Sequence, residues 1–150
     1  MDDLRDLYRQ LILDHNQSPH NSGVLEGANR SAQGYNPLCG DHLHVHLHLE
    51  NERIEDISFE GSGCAISKAS ASLMTVALKG KGVDEAQALF EQFRDMVMAD
   101  VAEPVDEEKL GKMAIFSGVR EFPMRVKCAT LAWHTMKAAL ENEDASISTE

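Results

Sequence analysis

The fold is decided by Asp41–Phe59, DHLHVHLHLENERIEDISF. From His42 to Leu49 the residues alternate strictly. Leu43, Val45, Leu47 and Leu49 share one face, and His42, His44, His46 and His48 share the other, which is the period of a half-buried β-strand. Glu50 to Glu52 turns the chain, and Ile54 to Phe59 returns as the second strand of an antiparallel hairpin. Ile54 and Ile57 are out of phase, which predicts a β-bulge. Four histidines on one face have the look of a metal ladder. A half-buried strand needs a polar outer row, however, and the row is read as that solvated face.

Working outward, residues 22–38 are rich in Gly, Ser and Asn and read as loop with room for one short strand. Before them, Leu4, Leu7, Tyr8, Leu11 and Ile12 follow the spacing of an amphipathic helix, which Asn16 to Asn21 with Pro19 breaks. After Gly61-Ser62-Gly63 a helix is predicted, with Ile66, Ala69, Ser70, Leu73, Met74 and Ala77 as its buried stripe and Gly80 and Gly82 at its end. Val83, Ala86, Leu89, Phe90, Phe93, Met96 and Val97 mark the next helix. A shorter one is predicted over Glu107–Phe116. The last begins near Pro123 or Met124, with Ala129, Ala132, Trp133, Met136 and Leu140 inward. The polar tail from Glu141 should fray. Strands in one block and helices in another give an α+β domain over residues 1–150. Its expected form is a small, about three-stranded antiparallel sheet with helices on one side and the chemistry at one end.

The chain has 150 residues, 43% hydrophobic and 26% charged, the balance of a soluble globular domain. No apolar run approaches the roughly 20 residues of a membrane helix. Met1-Asp2-Asp3-Leu4-Arg5 lacks the basic and apolar start of a signal peptide. A net charge of −11 argues against nucleic acid and anionic membrane, and favours a protein partner with a basic rim. Three cysteines are too few, and odd in number, for a disulfide framework, so a cytoplasmic setting is expected.

Those cysteines are Cys39 in Pro37-Leu38-Cys39-Gly40-Asp41, Cys64 in Gly61-Ser62-Gly63-Cys64-Ala65, and Cys128 in Arg125-Val126-Lys127-Cys128-Ala129. A free cysteine is most often a small buried hydrophobe. Here each is flanked by glycine or basic residues, and two fall near helix starts, where unpaired N–H groups and the dipole stabilise a thiolate. Asp41 lies two residues after Cys39 and shares the face of Leu43. Three thiolates and one carboxylate supply the four donors of a tetrahedral zinc site. No Cys-x-x-Cys is present, so the fold must gather the ligands from distant segments. A purely structural zinc domain is the weaker reading, because such sites use Cys and His rather than Asp.

As a set, these three motifs resemble those of the U-type iron–sulfur assembly proteins (IscU, SufU and the N-terminal part of NifU), as does the opening run from Leu7-Tyr8 through Asp14-His15 to Pro19. Two features are similar to the SufU branch. Lys127 stands where the IscU branch usually has His, after Phe122-Pro123-Met124-Arg125-Val126 in place of a Leu-Pro-Pro-Val-Lys segment. The region from about Gly80 to Gly118 is also longer than in IscU. The resemblance implies zinc held by Cys39, Asp41, Cys64 and Cys128. It further implies that Cys39 is the catalytic residue, accepting persulfide sulfur from a pyridoxal-phosphate cysteine desulfurase for downstream cluster-assembly proteins. Arg125 and Lys127 are expected to contact the partner or stabilise anionic sulfur. The alternative is a scaffold that builds a [2Fe–2S] cluster on the same four ligands.

Overall fold

The computed structural model describes residues 10, 12–15, 17, 21–37, 40–100, 102–105, 107–141 and 144–148. Three strands come first: β1 (Arg30–Asn36), β2 (Asp41–Glu50) and β3 (Arg53–Ser62). Helices α1 (Ala65–Leu78), α2 (Val83–Met98) and α3 (Glu107–Leu110) follow, then a 3₁₀ stretch (Gly111–Glu121), α4 (Pro123–Glu141) and β4 (Asp144–Ser148). Residues 12–15 are also helical, and Ile12 packs against the core. The other residues of the stripe expected there, Leu4, Leu7, Tyr8 and Leu11, lie outside the described residues.

The hairpin follows from its sequence. Leu43, Val45 and Leu47 are fully buried. Glu50 pairs with Arg53 across Asn51 and Glu52, both at positive φ (54° and 62°), the backbone a two-residue hairpin turn with the right twist requires. The expected bulge is present: His48 faces Asp56 and Leu49 faces Ile54, which leaves Glu55 extra. That one residue lets both Ile54 and Ile57 reach the core.

The sheet order is β3-β2-β1-β4, with β1–β2 and β2–β3 antiparallel. β1 is the short strand for which residues 22–38 left room. The tail differs from expectation. Instead of fraying, residues 144–148 add a fourth strand parallel to β1, supplying that strand's otherwise unpaired edge with a partner. The helix predicted over 107–116 is also different. It makes one α turn and continues as a 3₁₀ stretch from Gly111, whose φ of +55° interrupts α-helical geometry.

Helix α4 lies across β1 and β2, and α1 against β3. At Gly34 the helix comes so close that a Cβ would overlap the Thr135 hydroxyl. α4 is buried almost all round, as its small residues Ala129, Ala132, Ala138 and Ala139 permit. Thr130 and Thr135 satisfy their buried hydroxyls on carbonyls one turn back, at Val126 (2.9 Å) and Leu131 (2.7 Å). Trp133 stacks on Phe93 with centroids 4.8 Å apart, and Phe116 meets Phe93 edge-on. This aromatic cluster locks α2 and the 3₁₀ stretch to α4. No helix among the described residues is long and apolar enough to cross a membrane.

Candidate metal centre

At one end of the sheet β1 finishes, β2 begins and β3 ends. Asn36 pairs with Asp41, and His42 pairs with Ser62. The period of β2 turns Asp41 to the inner face with Leu43, and its side chain is buried there. Past Ser62 the chain enters α1, with Cys64 as N-cap: its Sγ accepts the Ser67 N–H at 3.4 Å. Cys128 enters the same space from α4 and is 3% exposed. One ligand atom each from Asp41, Cys64 and Cys128 lie within 4.8 Å of one another.

The contacts inside this cluster are specific. Asp41 Oδ1 accepts the Cys64 backbone N–H at 2.9 Å, and Oδ2 lies 4.0 Å from Cys64 Sγ. Gly63 makes this approach possible: a Cβ there would sit 2.8 Å from Asp41 Oδ1. Asn36 Nδ2 donates to Cys128 Sγ at 3.6 Å. Asn36 Oδ1 and Ser67 Oγ are buried without hydrogen-bond partners among the described residues. Soft sulfurs, a carboxylate and orphaned polar atoms gathered in one space fit a metal ion, which would bind Cys64, Cys128 and Asp41 directly.

Of the expected ligand set the structure therefore brings three together. Cys39 lies outside the described residues. Cys64 meets the expectation of a thiol at a helix N-terminus. Cys128 does not gain the unpaired amides expected for it. It is the sixth residue of α4, and the amides of Arg125 and Val126 are already bonded to the Phe122 carbonyl. Asn36 supplies a polar partner. Neither Asn36 nor Ser67 was singled out from the sequence, since an isolated Asn or Ser carries no period. The only signal at Asn36 was its place just before the Pro37-Leu38-Cys39 motif.

Arg125 is exposed, with its guanidinium 4.4 Å above the Phe122 ring. Lys127 is half-buried and lines a cavity of about 670 Å³ with Val97, Thr130, His134 and Lys137. The histidine row does face away from Asp41, but it is not uniformly solvated. His42 is exposed, His44 and His48 are half-buried, and His46 is buried.

Residues 7–129 match the model of the NifU-like N-terminal domain family. The chain belongs to this IscU/SufU/NifU family of iron–sulfur cluster assembly proteins. It is 41% identical over 138 residues to the zinc-dependent sulfurtransferase SufU of Bacillus subtilis, covering 92% of either chain. Over a stretch of the same length it is also 41% identical to the iron–sulfur cluster assembly scaffold protein IscU of Streptococcus pyogenes, covering 92% of this chain and 85% of that one. Among solved structures it is similar to the putative SUF-system scaffold FiSufU of Fervidobacterium islandicum, with a TM-score of 0.77, 34% identity, and 87% and 94% of the two chains covered. The α+β fold is that of the family, and identity alone ranks neither named role above the other.

Proposed function

We propose that this protein is a zinc-dependent sulfurtransferase of iron–sulfur cluster biogenesis, taking persulfide sulfur from a pyridoxal-phosphate cysteine desulfurase onto Cys39. The observation that carries the reading is the buried Asp41 carboxylate held against Cys64 and close to Cys128, a donor set suited to a single divalent ion. Lys127 before Cys128, in place of the His usual in the scaffold branch, points the same way, as does the B. subtilis relative. Zinc bound by Cys39, Asp41, Cys64 and Cys128 would keep the thiols deprotonated at neutral pH without adding redox chemistry.

The chain's own part is nucleophilic. The Cys39 thiolate attacks the outer sulfur of the desulfurase persulfide. A new S–S bond forms, the old one breaks, and the desulfurase cysteine leaves as a thiolate. Gly40, at φ +74°, gives the residue after Cys39 a backbone that side chains resist. The start of α4 suits a docking surface: Phe122 and Met124 are large exposed apolar residues beside Arg125 and Lys127, and the two cations would meet the partner or an anionic sulfur. A reducing cytoplasm suits these thiols.

A second reading, assembly of a [2Fe–2S] cluster on the same ligands for delivery to acceptor proteins, is favoured by the equal identity to the S. pyogenes scaffold. Elemental analysis with a desulfurase turnover assay separates the two. One zinc per colourless chain and a faster desulfurase support sulfur transfer. Brown protein carrying iron and sulfide, without stimulation, supports the scaffold.

A further inference from the structure

The outer face of the sheet carries a second constellation, remote in orientation from the thiols. The histidine row divides by partner. His42 Nε2 is bonded to Gln33 Oε1 at 3.0 Å, and its ring stacks on Tyr35. His48 reaches Glu50 at 4.0 Å. The middle pair differs. His44 faces Glu60 directly across β3, and His46 follows two residues along the same face. One ligand atom each from His44, His46 and Glu60 lie within 4.8 Å of one another.

We propose that His44, His46 and Glu60 form a second metal site, for a divalent transition-metal ion that prefers imidazole and carboxylate, such as zinc or nickel. The His46 side chain is only 10% exposed, yet its Nε2 has no hydrogen-bond partner among the described residues. Glu60 Oε2 lies 3.6 Å from it, an ion-pair distance longer than a typical hydrogen bond. Ligands bound to zinc at about 2.0–2.1 Å in a tetrahedron stand about 3.3–3.4 Å from each other, close to the spacing of this pair. Ser58, which faces His46 across β3, cannot relieve that nitrogen with its proton, because its hydroxyl donates to the Gly23 carbonyl at 2.8 Å. The rings of His44 and His46 lie 4.1 Å apart and tilted, so both can aim nitrogens at one point. Three protein ligands leave one position for water or an exchanging ligand, and half-exposed Glu60 on the edge strand opens toward solvent.

The test is a zinc chloride titration of the zinc-loaded full chain, followed by calorimetry and by long-range ¹H–¹⁵N spectra of the imidazoles. A second equivalent should bind and shift the His44 and His46 resonances while those of His134 stay in place. His46→Gln should lose that equivalent and keep the first. Glu60→Gln, on the edge strand and outside the core, should weaken it at least about tenfold in a fully folded protein. Imidazole signals unmoved by several equivalents of zinc, or a second equivalent bound with equal strength by Glu60→Gln and His44→Gln, would overturn the site. Because the readout is on the imidazoles, failure of the thiolate centre would not be mistaken for failure of this one.

Discussion

Asp41 Oδ1 accepts the backbone N–H of Cys64 at 2.9 Å, joining the first residue of β2 to the residue that caps α1. One carboxylate oxygen thus fixes the helix start, while Oδ2 stays beside the Cys64 thiol at 4.0 Å. The sheet, the helix and the candidate ligands cannot shift independently. The carboxylate also distinguishes this candidate centre from an all-thiolate one, since a carboxylate would bind zinc less tightly than sulfur and keep the site exchangeable.

Asp41→Cys should therefore hold zinc at least as well as the natural chain and transfer sulfur poorly. Zinc content and desulfurase stimulation would be measured side by side. Full activity in this variant would show that exchangeability is not what the carboxylate supplies.

Gly63→Ala places a methyl group 2.8 Å from Asp41 Oδ1 and 3.2 Å from its Cγ. Overpacking of this kind costs about 1–3 kcal/mol. Among the described residues Asp41 is the side chain most tightly approached, with Ser67 Oγ next at 3.3 Å, so the loss should fall on the metal centre. Competition with a chromogenic chelator should report weaker zinc binding, with circular dichroism unchanged. Unaltered zinc affinity would mean that the Asp41–Cys64 geometry tolerates displacement.

Asn36→Ala removes the amide that donates to Cys128 Sγ. Groups that orient a metal ligand without binding the ion typically contribute 10–100-fold in affinity. Zinc competition should show a loss in that range, and Asn36→Asp should not restore it, since it turns the donating amide into an acceptor beside a thiolate. Zinc binding unchanged in Asn36→Ala would reduce the amide to packing.

Stability should fall as the solution becomes acidic. His134 is held below the ordinary imidazole value of 6.5 by burial, then by Arg94 and Lys137. His46 is lowered by burial and then by His44. Between the lowered folded values and 6.5 the unfolded chain binds more protons than the folded one, so stability is lost as pH drops through this window and levels off below it. Urea unfolding at about pH 7.5 and about pH 5.5 should differ less for His134→Gln than for the natural chain. An equal difference in both would remove His134 from the account.

How much of this was legible in the sequence depends on where one face is buried. Leu43, Val45 and Leu47 against His44 and His46 write a period of two, and the broken phase of Ile54 and Ile57 writes the bulge. Gly61-Ser62-Gly63 marks the approach that puts Cys64 at a helix start. β1, RSAQGYN, has no such pattern, because its strand state is imposed by pairing with β2. β4 is likewise made by its neighbour β1. Asn36 and Ser67 act through single contacts that only the assembled fold creates. The burial of His46 was hidden for the same reason, since alternation assigns a face and says nothing of what covers it.

The most direct test of the sulfur-transfer reading is the location of the transferred sulfur. The natural chain would be incubated with cysteine desulfurase and cysteine, trapped by alkylation and mapped by mass spectrometry. The persulfide should be on Cys39, and Cys39→Ser should abolish stimulation of the desulfurase. Sulfur found on Cys64 or Cys128, with Cys39→Ser still active, would contradict the assignment.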